Sequence, residues 1–227
     1  MTASPTDTSG LGYLVKREMI AVAGGADLHI RSLLDKQQWH DPQGVALALG
    51  VSSATWPLFG LVWPSAQKMA DLMQTWPLHN LRILEIGCGL ALASLVIHRR
   101  LGNITASDCH PYTQRFLSAN LLLNALPMMA YQSGHWARDN PLLGEFDLII
   151  GSDVLYERDH PAQLADFIQR HAAQHAQVLI IDPNRGHRSA FNKCMSGHQF
   201  DLTQSEIVLP LHDLTPYRGS LLNYQRD

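Results

Sequence analysis

From residue 81 onward the chain alternates short apolar runs with longer amphipathic stretches, and this alternation constrains its fold more than any other feature. LRILEIG leads into a helical stretch from Leu90 to Leu101, and NITASD into another from Pro111 to Leu123. MMAYQS and FDLIIGSD follow, then a helical stretch from Pro161 to His175, then QVLIID and a further helix near Ser189 to Met195. Strands covered on both faces read as continuous apolar runs, and joining them in parallel needs a crossover, usually a helix. The pattern predicts an α/β fold: a Rossmann-like, doubly wound, mostly parallel seven-stranded sheet. Two later runs, DLTQSEIVL and SLLNYQ, are expected to finish the sheet as an antiparallel C-terminal strand pair.

Upstream, MIAVA and LHIRSL flank Gly24-Gly25, the chemistry of a tight turn, and predict an N-terminal β-hairpin extension between Glu18 and Leu33. Residues 35–60 mix Pro42, Gly44, Gly50 and Pro57 with polar residues and read as an irregular connection. Pro64 suits the first turn of a helix with apolar positions Ala66, Met69, Ala70, Met73 and Trp76, stopping at Pro77. Residues 1–10 are too poor in apolar groups to order themselves and are expected to be a flexible tail. Residues 11–227 are expected to form a single domain, 11–60 the hairpin and connection and 61–227 the core. At 227 residues and 46% hydrophobic content, one full core is within reach.

Charge and cysteines bound the partners. The formal net charge is −3, and the only lysines are Lys16, Lys36, Lys68 and Lys193, so the sequence offers no footprint for nucleic acid or an anionic membrane. Cys88, Cys109 and Cys194 are an odd number at wide spacing, matching neither a disulfide framework nor a zinc motif, and point to a reducing, cytoplasmic setting. No leader pattern and no apolar run of membrane length stands out. A monomer is the default expectation.

The first core strand ends in Glu85-Ile86-Gly87-Cys88-Gly89-Leu90-Ala91 with a helix directly behind it. A glycine-rich strand-to-helix turn brings backbone close to a ligand and aims helix amides at it. Asp108 ends the next strand, where a doubly wound fold places an acid against ribose hydroxyls. A ligand-free tight turn and an Asp capping the next helix are the alternative readings. Both features suit any adenosine ligand, a nicotinamide dinucleotide included. Ala91 stands where a dinucleotide fold prefers a third glycine, and Glu85 repels a pyrophosphate but suits the cationic amino-acid end of S-adenosylmethionine.

With Trp136 in QSGHWAR, the run FDLIIGSDVLYE and LVWPSA around Trp63, the chain resembles the class I, seven-strand methyltransferases that use S-adenosyl-L-methionine. Within them it resembles the protein-lysine methyltransferase and nicotinamide N-methyltransferase-like group. The likeness runs from about Gly60 to Asp182, and Phe146 to Glu157 is its most specific part. It implies that Gly87, Cys88 and Gly89 shape the loop around the methionine part and that Asp108 holds the ribose. It further implies that Trp136 flanks the adenine, Ser152 lines the cofactor and Trp63 closes the pocket. Asp153 and Tyr156, in a D-x-x-Y arrangement, would be catalytic, Asp153 orienting the acceptor amine and Tyr156 lining its channel. Without that context, Trp63 and Trp136 would read as packing residues, and a packing residue with a satisfied hydroxyl is the alternative for Tyr156.

The resemblance implies an N-methyltransferase acting on a protein side-chain nitrogen, lysine favoured, with a small amine such as a pyridine nitrogen as the other acceptor class. A nicotinamide-dependent oxidoreductase and a non-catalytic S-adenosylmethionine-binding protein are the rival readings. Val154-Leu155 stands where base methyltransferases carry two prolines, which argues against a nucleic-acid substrate. His171 and His175 have the spacing of a metal pair on a helix but read as a solvated face, so no metal is expected. The segment Asp182-Pro183-Asn184-Arg185 reads equally as substrate-side lining or as a helix-entry loop.

Overall fold

The computed structural model describes residues 12–209 and 217–227, so the expected tail at residues 1–10 lies outside the described residues. β1 (Val15–Ile20) and β2 (Leu28–Leu33) pair antiparallel, as Gly24-Gly25 suggested. The hairpin is wider than a two-residue turn, and a Gly25 N–H to Val22 carbonyl hydrogen bond of 3.0 Å folds it back. The connection that follows is not wholly irregular. It contains a four-residue helix, α1 (Val45–Ala48), and a 3-10 helix at Trp56–Gly60. Asp41 caps α1, its carboxylate accepting from the Ala46 and Leu47 amides at 3.1 and 3.0 Å.

α2 (Pro64–Thr75) starts on proline as expected and buries Met69, Ala70 and Met73. Strands and helices then alternate: β3 (Arg82–Ile86), α3 (Leu92–Arg99), β4 (Asn103–Asp108), α4 (Thr113–Leu123), β5 (Ala130–Ser133), β6 (Phe146–Ser152), α5 (His160–His171), β7 (Ala172–Asp182) and α6 (Arg188–Gly197). β8 (Asp201–Leu209) and β9 (Tyr217–Arg226) follow. The sheet order is β5-β4-β3-β6-β7-β9-β8. Strands β3 to β7 are mutually parallel where they pair, and β9 runs antiparallel to both β7 and β8. Strand order reverses at β3, whose neighbours are β4 and β6, and open α/β sheets bind ligands outside the carboxyl ends of strands at such a point.

One expected element is corrected. The helix read to His175 ends at His171, and residues from Ala172 belong to β7. AAQHAQ has good helix formers, but tertiary pairing overrides them: Ala172 pairs with Phe146, Ala176 with Arg226, and the Arg226 guanidinium donates to the Ala172 and Ala173 carbonyls. His171 and His175 are therefore not neighbours on a helix. His171 is buried against the Gly144 carbonyl at 2.8 Å, whereas His175 is exposed on the strand. Among the described residues, no cluster of three or more His, Cys, Asp or Glu is placed to hold a metal ion, and no helix is long and apolar enough to cross a membrane.

Candidate active site

An open cavity of about 610 Å³ lies at the carboxyl ends of β3, β4 and β6. Of the residues expected at the site, Trp63, Gly87, Cys88, Gly89, Asp108, Trp136, Ser152, Asp153 and Tyr156 all line it. For all but Trp63, which caps α2, the convergence follows from topology, since each loop leaves the carboxyl end of a parallel strand.

The glycine loop works through backbone shape. Gly87, Gly89 and Ala91 all have positive φ, at 56, 52 and 60°, which folds the chain from β3 into α3. A Cβ on Gly87 would come within 3.0 Å of Val154 Cγ1 and 3.3 Å of Trp136, and one on Gly89 within 2.9 Å of the Phe59 carbonyl oxygen. The loop is thus clasped between the β6 loop and the 3-10 helix, leaving room only for hydrogen at both positions. Ala91 occupies the left-handed region that glycine enters freely, so here the methyl adds strain as well as packing.

Asp108 is 9% exposed, and its carboxylate accepts from the Gly89 amide at 2.9 Å and the His110 amide at 2.8 Å. It ties the ends of β3 and β4 together. Burial pushes this carboxyl above its ordinary value, while the amides of His110 and Gly89 pull it back. A carboxylate offers about four lone-pair positions, so about two remain for a ribose diol.

Glu85 is the one expected cofactor residue outside the cavity lining. It is 1% exposed, and its carboxylate accepts from the Ser94 amide at 2.9 Å and, through a very short contact, from the Ser94 hydroxyl. Ser94 is the third residue of α3, and Ala91 at the helix N-cap has no side-chain oxygen, so Glu85 supplies the cap from the neighbouring strand. The charge argument made for Glu85 from sequence does not carry over, because its side chain turns under the helix instead of towards the ligand.

Burial pushes Glu85 up to about 7, with the Ser94 hydrogen bonds opposing and Asp108 reinforcing the shift. The folded chain therefore retains a proton that the unfolded chain releases, and stability falls as pH rises from about 4.5 to about 7. Glu85→Gln keeps an acceptor for Ser94 and abolishes that fall. In urea unfolding of the cofactor-free protein, the variant should match the native chain near pH 4 and exceed it by about 3 kcal/mol above pH 7. Parallel stability curves would show that Glu85 ionises normally.

The structure also brings in residues that sequence reading left out. Leu49–Ser52, Thr55, Leu58 and Phe59 form one wall, so the connection read as irregular is part of the site. His110 stacks on Phe59 at 3.7 Å and lies edge-on to Trp56. Its Nδ1 accepts from the Tyr112 amide at 3.2 Å, which leaves the proton on Nε2, a buried donor without a partner among the described residues. Burial pushes this imidazole down to about 3, so it stays neutral. His160 donates from Nδ1 to the Val154 carbonyl at 2.9 Å and packs edge-on against both Trp136 and Tyr156. Cys88 and Cys109 line the cavity, but burial raises both thiols, Cys109 to about 12, which disfavours a thiolate nucleophile.

On the acceptor side, Asp153 has φ 55°, and its amide donates to the Ile181 carbonyl at 2.8 Å. Arg185, from the loop after β7, grips the Asp153 carboxylate through Nε at 2.5 Å and a terminal nitrogen at 2.7 Å. Its guanidinium carbon stands 5.9 Å from the centre of the Trp63 ring. Of the segment left undecided from sequence, Arg185 lines the cavity. Its spatial signal was available: β7 neighbours β6, so the loops after those two strands must meet.

A strand-order reversal, a glycine loop and an acid at the next strand end make a Rossmann-like site of the kind found in methyltransferases. The solved ribosomal protein L11 methylase of Lactobacillus delbrueckii subsp. bulgaricus shares the fold, with a TM-score of 0.57 and 16% identity over 74% of this chain and 81% of that one. So does magnesium protoporphyrin IX methyltransferase from Synechocystis PCC 6803 with bound S-adenosylmethionine, with a TM-score of 0.56 and 15% identity over 74% and 86%. The chain belongs to the lysine methyltransferase family, whose model matches residues 53–197.

A calmodulin-lysine N-methyltransferase of Arabidopsis thaliana is 27% identical over 141 residues, 56% of this chain and 46% of the relative. An electron transfer flavoprotein beta subunit lysine methyltransferase of Xenopus laevis is 25% identical over 138 residues, 59% of this chain and 55% of the relative. The chain therefore spans about half the length of the relatives it matches.

The cavity fits S-adenosylmethionine. Its volume falls in the range of ordinary small-ligand sites. Gly87 and Gly89 put bare backbone in the cavity wall, Asp108 keeps free lone pairs for the ribose, and the unspent His110 donor stands in the wall beside it.

Proposed function

We propose that this chain is an S-adenosylmethionine-dependent protein-lysine N-methyltransferase. The observation that carries the reading is that Asp108 and Asp153, at the ends of the two strands flanking β3, line one cavity on either side of the Gly87-Cys88-Gly89 turn. In this reading Asp108 holds the ribose, Trp136 covers the adenine, Ser152 borders the donor, and Trp63, Asp153 and Tyr156 frame the entry for the acceptor.

When bound, S-adenosylmethionine supplies an electrophilic methyl group on a sulfonium. The residues around it have to align a neutral amine with that methyl and keep water out, since methyl transfer is an in-line displacement. A lysine ammonium has an ordinary pKa near 10.4, so it loses its proton to solvent before attack, and desolvation between Trp63 and Tyr156 favours that loss. Asp153 accepts a hydrogen bond from the amine and fixes its lone pair. Desolvation at the cavity wall raises the Tyr156 phenol, which stays neutral. The same reading has the chain acting as a monomer in a reducing, cytoplasmic compartment, in keeping with its free Cys88, Cys109 and Cys194.

Incubation with methyl-labelled S-adenosylmethionine and a cell extract tests this reading. A discrete labelled protein whose label survives on lysine after hydrolysis is the expected result. Label confined to small molecules would replace the acceptor with a free amine, and no label despite cofactor binding would replace the enzyme with a binding protein.

A further inference from the structure

Asp153 and Arg185 differ in exposure and in the room around them. Asp153 is 9% exposed at its side chain, and its backbone is locked at φ 55° by the bond to Ile181. Arg185 is 41% exposed and sits on a turn between Asn184 at φ 64° and Gly186 at φ 96°, where a Cβ on Gly186 would meet nothing within 4 Å. One partner is a fixed anion, and the other is a cation on a loop with open space beside it.

A carboxylate with an indole face nearby is a general seat for an organic cation, combining a charge-assisted hydrogen bond with a cation–π contact. Here the guanidinium fills that seat, bidentate on Asp153 and 5.9 Å from the Trp63 ring centre. The acceptor of a lysine methyltransferase is itself an alkylammonium ion. Resting on the function proposed above, we infer that Arg185 is a resident pseudo-substrate: it occupies the ammonium seat made by Asp153 and Trp63 and has to swing out before an acceptor lysine enters.

The consequence is selectivity. A free amine competes with a tethered guanidinium on charge alone and loses, whereas a lysine presented by a docked protein brings additional contacts that offset the displacement. Arg185 thereby sets a threshold that small amines fail and protein segments pass. Because the Asp153–Arg185 pair has one well-exposed member, its strength is modest, and displacement is within the reach of ordinary docking contacts.

The test uses the full chain loaded with S-adenosylhomocysteine and Nα-acetyl-lysine methylamide as probe, followed by NMR titration. Arg185→Ala should bind the probe about tenfold more tightly than the native chain, as expected if the seat is open in about a tenth of native molecules. Millimolar guanidinium ion should then compete with the probe in Arg185→Ala, refilling the seat, and Asp153→Asn in the same background should abolish probe binding. Arg185→Gln, which retains a polar side chain on the loop, provides the same comparison if the alanine variant folds poorly. Equal or weaker probe binding in both variants, or indifference to guanidinium, overturns the inference and makes Arg185 a positioning residue for Asp153. Failure of the native chain to bind S-adenosylhomocysteine would instead remove the functional reading on which the inference rests.

Discussion

Asp153→Asn is expected to slow methyl transfer by at least about 100-fold while leaving S-adenosylmethionine affinity within about twofold, a loss typical of a reacting group that is no longer held in line. Asparagine is the informative replacement because the site demands positive φ, which Asn tolerates and most residues resist. It retains one oxygen for Arg185 and removes only the charge and the second acceptor. The rate is measured on the labelled protein from the extract experiment and the affinity by calorimetry. Unchanged turnover would take Asp153 out of the chemistry and leave it as the anchor of Arg185. Loss of cofactor binding would place Asp153 on the donor side instead.

Asp108→Ala is expected to weaken S-adenosylmethionine binding by about 100-fold or more, since each hydrogen bond to a buried charged group contributes on the order of 1.5–3 kcal/mol. Two effects add. The ribose loses its acceptors, and the Gly89 and His110 amides, now held by the carboxylate at 2.9 and 2.8 Å, lose theirs, which loosens the glycine turn. Asp108→Asn separates them, because one remaining oxygen keeps part of the turn in place while the donor–acceptor match with a diol is halved. Its affinity should fall between those of the native chain and the alanine variant. Equal binding by all three proteins would exclude Asp108 from the cofactor site.

Legibility followed how local each signal was. The parallel core was readable because buried strands and crossover helices write their periods directly into the chain, and Asp108 and Asp153 were readable because each ends an apolar run. Glu85 misled because its position on the strand was visible but the direction of its side chain was not. Only the packing of α3 shows that it caps a helix whose own N-cap is Ala91. Arg185 was left undecided because its partner is 32 residues away and the pairing exists only through the β6–β7 neighbourhood. The over-long α5 had the same origin, since the pairing of Ala172 with Phe146 and of Ala176 with Arg226 outweighs local helix propensity. The wall formed by Leu49–Phe59 had no periodic signature at all.

The placement of β9 between β7 and β8 supports the two halves of the site by different means. β3, β4 and β6, which lead into the glycine turn, Asp108 and Asp153, pair with one another without β9. The Arg185 loop is different: Ser220 on β9 bridges Asn184 at 3.1 Å and Arg188 at 2.7 Å, and Asp182 pairs with Ser220 in the sheet. Loosening β9 from β7 would therefore free the loop that carries Arg185 from Ser220 while leaving the pairing of β3 with β4 and β6 intact.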